Sequence, residues 1–232
     1  MLSAPVQLKR KSRFSATLDL GIVLTVFASG SLSVPLVNPI LRHGSGMSGV
    51  FAAATYQFVL EGMAPLALML WRRERFSCYG LIRRDLGVSL SFGFALAVLY
   101  DLGLSWHTGA LLWIPLRRQP AIRMSLAAGF PLDVIGLAIA ALIWGFLEGF
   151  FGIYFARKMN LALGHNGRGW VAPGAIAFAT FNGGIHLIVG QGFQGFVTSF
   201  ASGYAIAVVP AITGNAWGGT LIQTLTNAVG RL

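Results

Sequence analysis

Residues 130–156 read FPLDVIGLAIAALIWGFLEGFFGIYFA, twenty-seven residues with no Lys or Arg and only two acidic residues, Asp133 and Glu148. A helix crossing the hydrocarbon core of a bilayer needs about twenty apolar residues, so this run is long enough to span a membrane with a turn or more to spare. Comparable runs lie on both sides of it. They cover roughly 20–41, 49–71, 88–106, 171–190, 193–212 and 216–229. The pattern predicts an all-α, polytopic transmembrane helix bundle of about seven spans, forming one integral membrane domain over residues 1–232 with a basic N-terminal segment at 1–16.

Composition agrees with that class. Apolar residues make up 55% of the 232 and charged ones 10%, with a mean hydropathy of +0.70; soluble domains carry about 25% charged residues. The formal charge of +10 does not describe a nucleic-acid surface, because the Lys and Arg flank apolar runs rather than forming one aromatic-interleaved patch. Membrane lipids with anionic head groups are the partner such flanks fit, and no nucleic acid is expected. The lone Cys78 cannot form an intrachain disulfide.

Loop charge predicts orientation. With a cytoplasmic N-terminus and seven spans, Lys9, Arg10, Lys11, Arg13, Arg72, Arg73, Arg75, Arg83, Arg84, Arg157, Lys158 and Arg168 share the cytoplasmic side, twelve of the seventeen basic residues. Arg42, Arg117, Arg118, Arg123 and Arg231 fall on the other. Residues 109–116 read as an interfacial or re-entrant piece anchored by Arg117, Arg118 and Arg123. The basic start, the short apolar core at 22–28 and the small residues 29–31 also allow a cleaved signal peptide, although the apolar run continues as a spanning helix would.

Polar groups inside such runs mark the place to look for function, because each costs free energy at bilayer depth unless partnered. The candidates are Glu148, His186 and Asn227, supported by Asn182, Gln223 and Glu61. Asn182 and His186 are four residues apart, as are Gln223 and Asn227, so each pair projects from one helix face. Convergence of three helices would place a carboxylate, an imidazole and amides in one pocket. A glutamate there can act as general base on a water while the amides bind an oxyanion. The same groups can simply hydrogen-bond across helices and set packing. Glu61 could pair with His186 or an arginine, or mark an ion or proton route. Asp101 and Asp133, near span ends, read as solvated; His165 reads as a loop residue, and His43 and His107 as interfacial.

Residues 131–229 resemble the CPBP family, the CAAX-protease and bacteriocin-processing group of intramembrane glutamate proteases. That family carries E-E-x-x-x-R on one span, F-x-x-x-H on the next and H-x-x-x-N on the last. Here 147–154 (LEGFFGIY), 182–186 (NGGIH) and 223–227 (QTLTN) are similar to these three in order, spacing and span placement. The stretch 79–84 (YGLIRR), ahead of a span, is similar to the family's lead-in.

The resemblance implies a CPBP-like fold, with Glu148, His186 and Asn227 as the catalytic positions. Several motif residues differ. With the Phe-Phe pair in register, Leu147 stands at the first glutamate and Gly152 at the arginine, while Asn182 replaces the phenylalanine and Gln223 the second histidine. Placing Glu148 on the first glutamate instead puts Gly149 and Ile153 at the next two motif positions. Gln cannot exchange a proton near neutral pH as His can. The expectation is a degenerate site on a multi-pass protein that binds or assembles with a partner membrane protein or complex, recognising a helix, lipid or pigment. A divergent active peptidase and an ion- or proton-coupled transporter are the alternatives. No cofactor is expected, and one His, one Glu and amides make a poor zinc set.

Overall fold

The computed structural model describes residues 4–43, 46–109 and 125–227. Among them there are helices and turns and no strand. The chain runs α1 (Ala4–His43), α2 (Gly46–Gln57), a π-helical turn (Phe58–Met63), α3 (Ala64–Arg72) and α4 (Leu86–Thr108). It continues through α5 (Leu132–Ala140), a second π-helical turn (Ala141–Leu147), α6 (Glu148–Leu163), α7 (Pro173–His186) and a third π-helical turn (Leu187–Gln191). The last helices are α8 (Gly192–Thr213) and α9 (Trp217–Asn227).

Five helical stretches among the described residues are long and apolar enough to cross a membrane: Ser12–Ser33, Gly46–Arg72, Leu86–His107, Leu132–Leu163 and Pro173–Thr213. The last of these doubles back on itself. Gly190 and Gly192 take φ of +84° and +66°, left-handed values that cost glycine little, and they fold α7 against α8 as an antiparallel hairpin. Apolar side chains cover the outside, with Leu32, Leu70, Trp106, Phe130, Ile188 and Phe193 all strongly exposed. In water such a surface would aggregate; in lipid it is the expected exterior. The protein is therefore a helical, multi-pass membrane protein. Arg117, Arg118 and Arg123, with the proposed re-entrant piece at 109–116, lie almost wholly outside the described residues, as do Arg231 and the side chains of Lys9, Arg10, Lys11, Arg42 and His43.

Helix α6 runs through the middle, with Phe150, Phe151, Ile153, Tyr154 and Phe155 all buried. Lipid offers no hydrophobic drive for helix association, so close approach of backbones has to hold the bundle. Small residues provide it on both sides of α6. A Cβ on Gly174 of α7 would lie 2.0 Å from the Ala156 carbonyl oxygen, and one on Gly152 would lie 2.4 Å from the Phe178 ring. A Cβ on Gly145 would lie 2.4 Å from Thr224 of α9, and one on Gly149 would lie 3.0 Å from Thr220 Cα. Each series moves four residues up one helix as it moves four down the other, so α7 and α9 both run antiparallel to α6.

One end of the bundle gathers the basic loops. The Ala216 amide donates to the Gly80 carbonyl at 2.8 Å. Buried Asn215 donates to the carbonyls of Ile82 and Arg84 at 2.8 and 2.6 Å, tying the α8–α9 turn to the loop before α4. At the same end Asp19 of α1 meets Lys158 of α6. Helix α1 is thus tied into the bundle through a buried charge.

Candidate functional site

Glu148 opens α6 directly after the second π-helical turn, sixteen residues from Leu132 and fifteen from Leu163. It sits near the middle of the apolar helical stretch Leu132–Leu163. Its neighbours are packed at contact distance: Leu147 Cδ1 lies 3.3 Å from the Cβ position of Gly62, and Gln223 Cβ lies 3.1 Å from that of Gly149. Glu148 therefore lies between the first π-helical turn and α9.

The α6–α7 register sets the other candidates. Ala156 is level with Gly174 and Gly152 with Phe178, so Glu148 is level with Asn182 and Trp144 with His186. His186 ends α7 immediately before the third π-helical turn, one turn deeper along α6 than Glu148. Neither Glu148 nor His186 is without a partner.

Asn182 is committed elsewhere. Its amide donates to the Ser199 carbonyl at 2.8 Å, and a Cβ on Gly203 would lie 3.1 Å from that same nitrogen, so it fastens α7 to α8. Replacing it with Leu is expected to cost only about 0.6 to 1.7 kcal/mol, the range of single interhelical hydrogen bonds in membranes, read as a small fall in thermal stability in detergent. Gln223 is buried at the α6–α9 crossing. Asn227 closes α9, and its side chain lies outside the described ones.

Glu61, read as a partner for His186 or an arginine or as a mark of an ion or proton route, has Glu148 across from it and the Gln57 side chain one turn back as its polar neighbours. It sits inside the first π-helical turn, fifteen residues from Gly46 and eleven from Arg72, at the same mid-stretch depth as Glu148. The three ionisable candidates thus each lie in or beside a π-helical turn, a departure from regular helix that is often associated with functional sites.

One further expectation is corrected by burial. Asp101 is not solvated: it is buried on α4, and its Oδ1 has no hydrogen-bond partner among the described residues. Asp133, in the first turn of its helix, accepts the Val134 amide at 2.7 Å. His165 is exposed in its loop and accepts the Gly167 amide.

The largest polar assembly was not anticipated. Lys158, 3% exposed, donates to Asp19 Oδ2 at 2.8 Å and to Glu74 Oε1 at 2.7 Å, while Arg72 donates to Asp19 Oδ1 at 2.9 Å. Asp19 is completely buried. The Lys158 ammonium lies 5.3 and 6.0 Å from the ring centroids of Tyr154 and Tyr79, within cation–π range, and Tyr79 donates its hydroxyl to Glu74. Burial, then that hydrogen bond, holds the Tyr79 phenol well above its usual range. Two cations and two carboxylates balance, and the set joins α1, the end of α3 and α6. The usable signal was Asp19 itself, an acid at the edge of the first apolar run that needed a cation from another helix.

Among the described residues no three His, Cys, Asp or Glu stand close enough to hold a metal ion. Comparison with protein-family models, with curated proteins and with solved structures gives no match. Fold and site together define a multi-pass helical membrane protein with an intramembrane carboxyl pair at its centre and a neutral buried charge cluster at its basic end.

Proposed function

We propose that this chain is a CPBP-like membrane protein that does not cleave peptides and serves as a binding or assembly subunit of a membrane complex, with its N-terminus in the cytoplasm. The observation that supports this reading most is the packing around the Glu148 turn. A Cβ on Gly145 or Gly149 would lie 2.4 or 3.0 Å from α9, one on Gly152 would lie 2.4 Å from the Phe178 ring, and one on Gly62 would lie 3.3 Å from Leu147. A protease has to admit an extended segment beside its base, and the faces at Gly145, Gly149 and Gly152, around Glu148, are taken by neighbouring helices. The residues at the motif positions agree with this. Asn182 is spent on the α7–α8 hairpin, Gln223 packs into the α6–α9 crossing, and Leu147 and Gly152 offer neither a second carboxylate nor a cation.

Purification from the native membrane in mild detergent is expected to retain a larger membrane complex in stoichiometric amount. The isolated chain is expected to leave prenylated and leader-type peptides intact, and Glu148→Gln to be indistinguishable from wild type in that assay. Cleavage that disappears in Glu148→Gln would overturn the reading in favour of a divergent glutamate peptidase.

A further inference from the structure

We propose that the basic end of the bundle is a docking platform for an acidic protein segment, with arginines of the loop at 73–85 and of the chain beside it holding Asp and Glu side chains of the assembly partner. This rests on the assembly reading and names the chemistry of the partner. The chain has only seven acidic residues, and three of them, Asp19, Glu74 and Asp85, lie at this end. Asp19 and Glu74 are engaged by Lys158 and Arg72 in the buried cluster. Asp85 lies 3.3 Å from Arg84, its neighbour in the chain, an exposed pair that offsets one cation at most. Arg73, Arg75, Arg83, Arg157 and Arg168 are exposed and make no ion pair among the described residues. The other four acids stand within the helices or at the far start of α5, so the countercharge for these arginines has to come from another molecule.

The backbone that carries them is fixed. The loop begins on Arg73 and ends on Asp85, whose φ values of +55° and +54° are the only left-handed ones taken by non-glycine residues among those described. Such a conformation costs of order 1 kcal/mol and persists where the surroundings impose it. Between these two residues, Glu74 is held by Lys158 of α6, and the Tyr79 ring packs on those of Phe150 and Tyr154 with centroids at 5.5 and 5.1 Å. The Gly80 carbonyl accepts the Ala216 amide, and buried Asn215 donates to the carbonyls of Ile82 and Arg84. Arg157 precedes Lys158 on α6, and Arg168 belongs to a loop fastened to α8 by the Gly169 amide and the Ala211 carbonyl at 3.1 Å.

Fixation favours a protein partner over lipid. The loop crosses from α3 past α6 to the α8–α9 turn, so it lies against protein along its length. Anionic head groups attract basic segments through a diffuse surface potential that asks for no particular arrangement of cations. Here all five unpaired cations are arginine, whose planar fork takes a carboxylate at two points. Donors already held in place lose little freedom on binding, which is the advantage of a preorganised surface.

The test uses the purified full chain in phosphatidylcholine nanodiscs and a fluorescent poly-Glu peptide, with anisotropy reading binding. Wild type is expected to bind the peptide and to lose affinity as salt rises, because exposed pairs are screened. Arg73→Gln combined with Arg83→Gln is expected to weaken binding about tenfold. Arg73→Lys combined with Arg83→Lys keeps the charge and is expected to weaken it as well, because the two-point contact is lost. No binding by wild type, or equal affinity in the lysine variant, overturns the proposal. Phosphatidylglycerol added to the nanodiscs separates protein from lipid: binding that persists supports the platform, and loss of the peptide would show that head groups occupy it and overturns the proposal. Monodisperse elution of each variant separates loss of the surface from loss of the fold. Co-purification from the native membrane separates this inference from the assembly reading. A complex retained equally by wild type and the glutamine variant overturns the platform and leaves the assembly reading intact. Absence of any complex from wild type overturns the assembly reading, and the peptide measurement alone then decides the platform.

Discussion

Lys158→Met is expected to destabilise the protein by about 3 kcal/mol, at the lower edge of the roughly 3 to 5 that follows removal of one partner from a buried ion pair. Lys158 is the hub of the charge cluster and gives hydrogen bonds to two carboxylates on two segments. Asp19, completely buried, would keep only Arg72, and Glu74 would keep only the Tyr79 hydroxyl. The net charge of the set would change from zero to minus one in a place that water reaches poorly. The Met stem fills the volume of the Lys stem, so the loss would report the charge and not a cavity. The double variant Lys158→Met with Glu74→Gln restores neutrality and leaves the Asp19–Arg72 pair intact. It is expected to recover most of the lost stability. Thermal unfolding in one detergent, compared across wild type, both single variants and the double variant, measures the coupling. Additive effects in that cycle would show that the groups do not act as a unit.

Gly218→Val is expected to separate α4 from α9 and to cost at least the upper part of the roughly 1 to 3 kcal/mol typical of overpacking. A Cβ on Gly218 would lie 2.0 Å from the Ser89 carbonyl oxygen, and one on the opposing Gly93 would lie 2.3 Å from the Gly218 carbonyl oxygen. Both obstacles are backbone, so no rotamer change relieves them. The same approach lets the Gly218 amide donate to Ser89 Oγ at 2.9 Å while Ser89 donates to the Asn215 carbonyl at 2.8 Å. Moving the helices apart would strand these buried groups as well. Gly103→Val on the same helix α4 has nothing within 4 Å of its Cβ position and serves as the control. The two variants should differ clearly in melting temperature in detergent and in yield of monodisperse protein. Equal behaviour would mean that the α4–α9 crossing is not tight in the membrane.

Helical class and membrane placement were legible in the residues because they depend on local composition: runs of twenty apolar residues with basic flanks allow few structures in lipid. The choice of Glu148, His186 and Glu61 as notable groups was legible for the same reason, since an ionisable side chain is conspicuous against an apolar run. Their mutual arrangement was not. The alternatives for Glu61 stayed open along the sequence, and only the packing of Gly62 against Leu147 brings its segment beside that of Glu148. Asp101 looked solvated from its distance to a span end and is buried, because exposure depends on which helix lies opposite.

By itself the sequence determined that this protein is made of apolar helices set in a membrane, and which few polar groups are buried in them at a cost. Only the tertiary structure decided the partners: Asp19 with Lys158, Asn182 with Ser199, and Glu61 with Glu148. The physical reason is that apolar patterning acts along one helix, residue by residue. Pairing depends on the relative rotation and register of two helices, and these are set by which small residues allow backbones within contact distance.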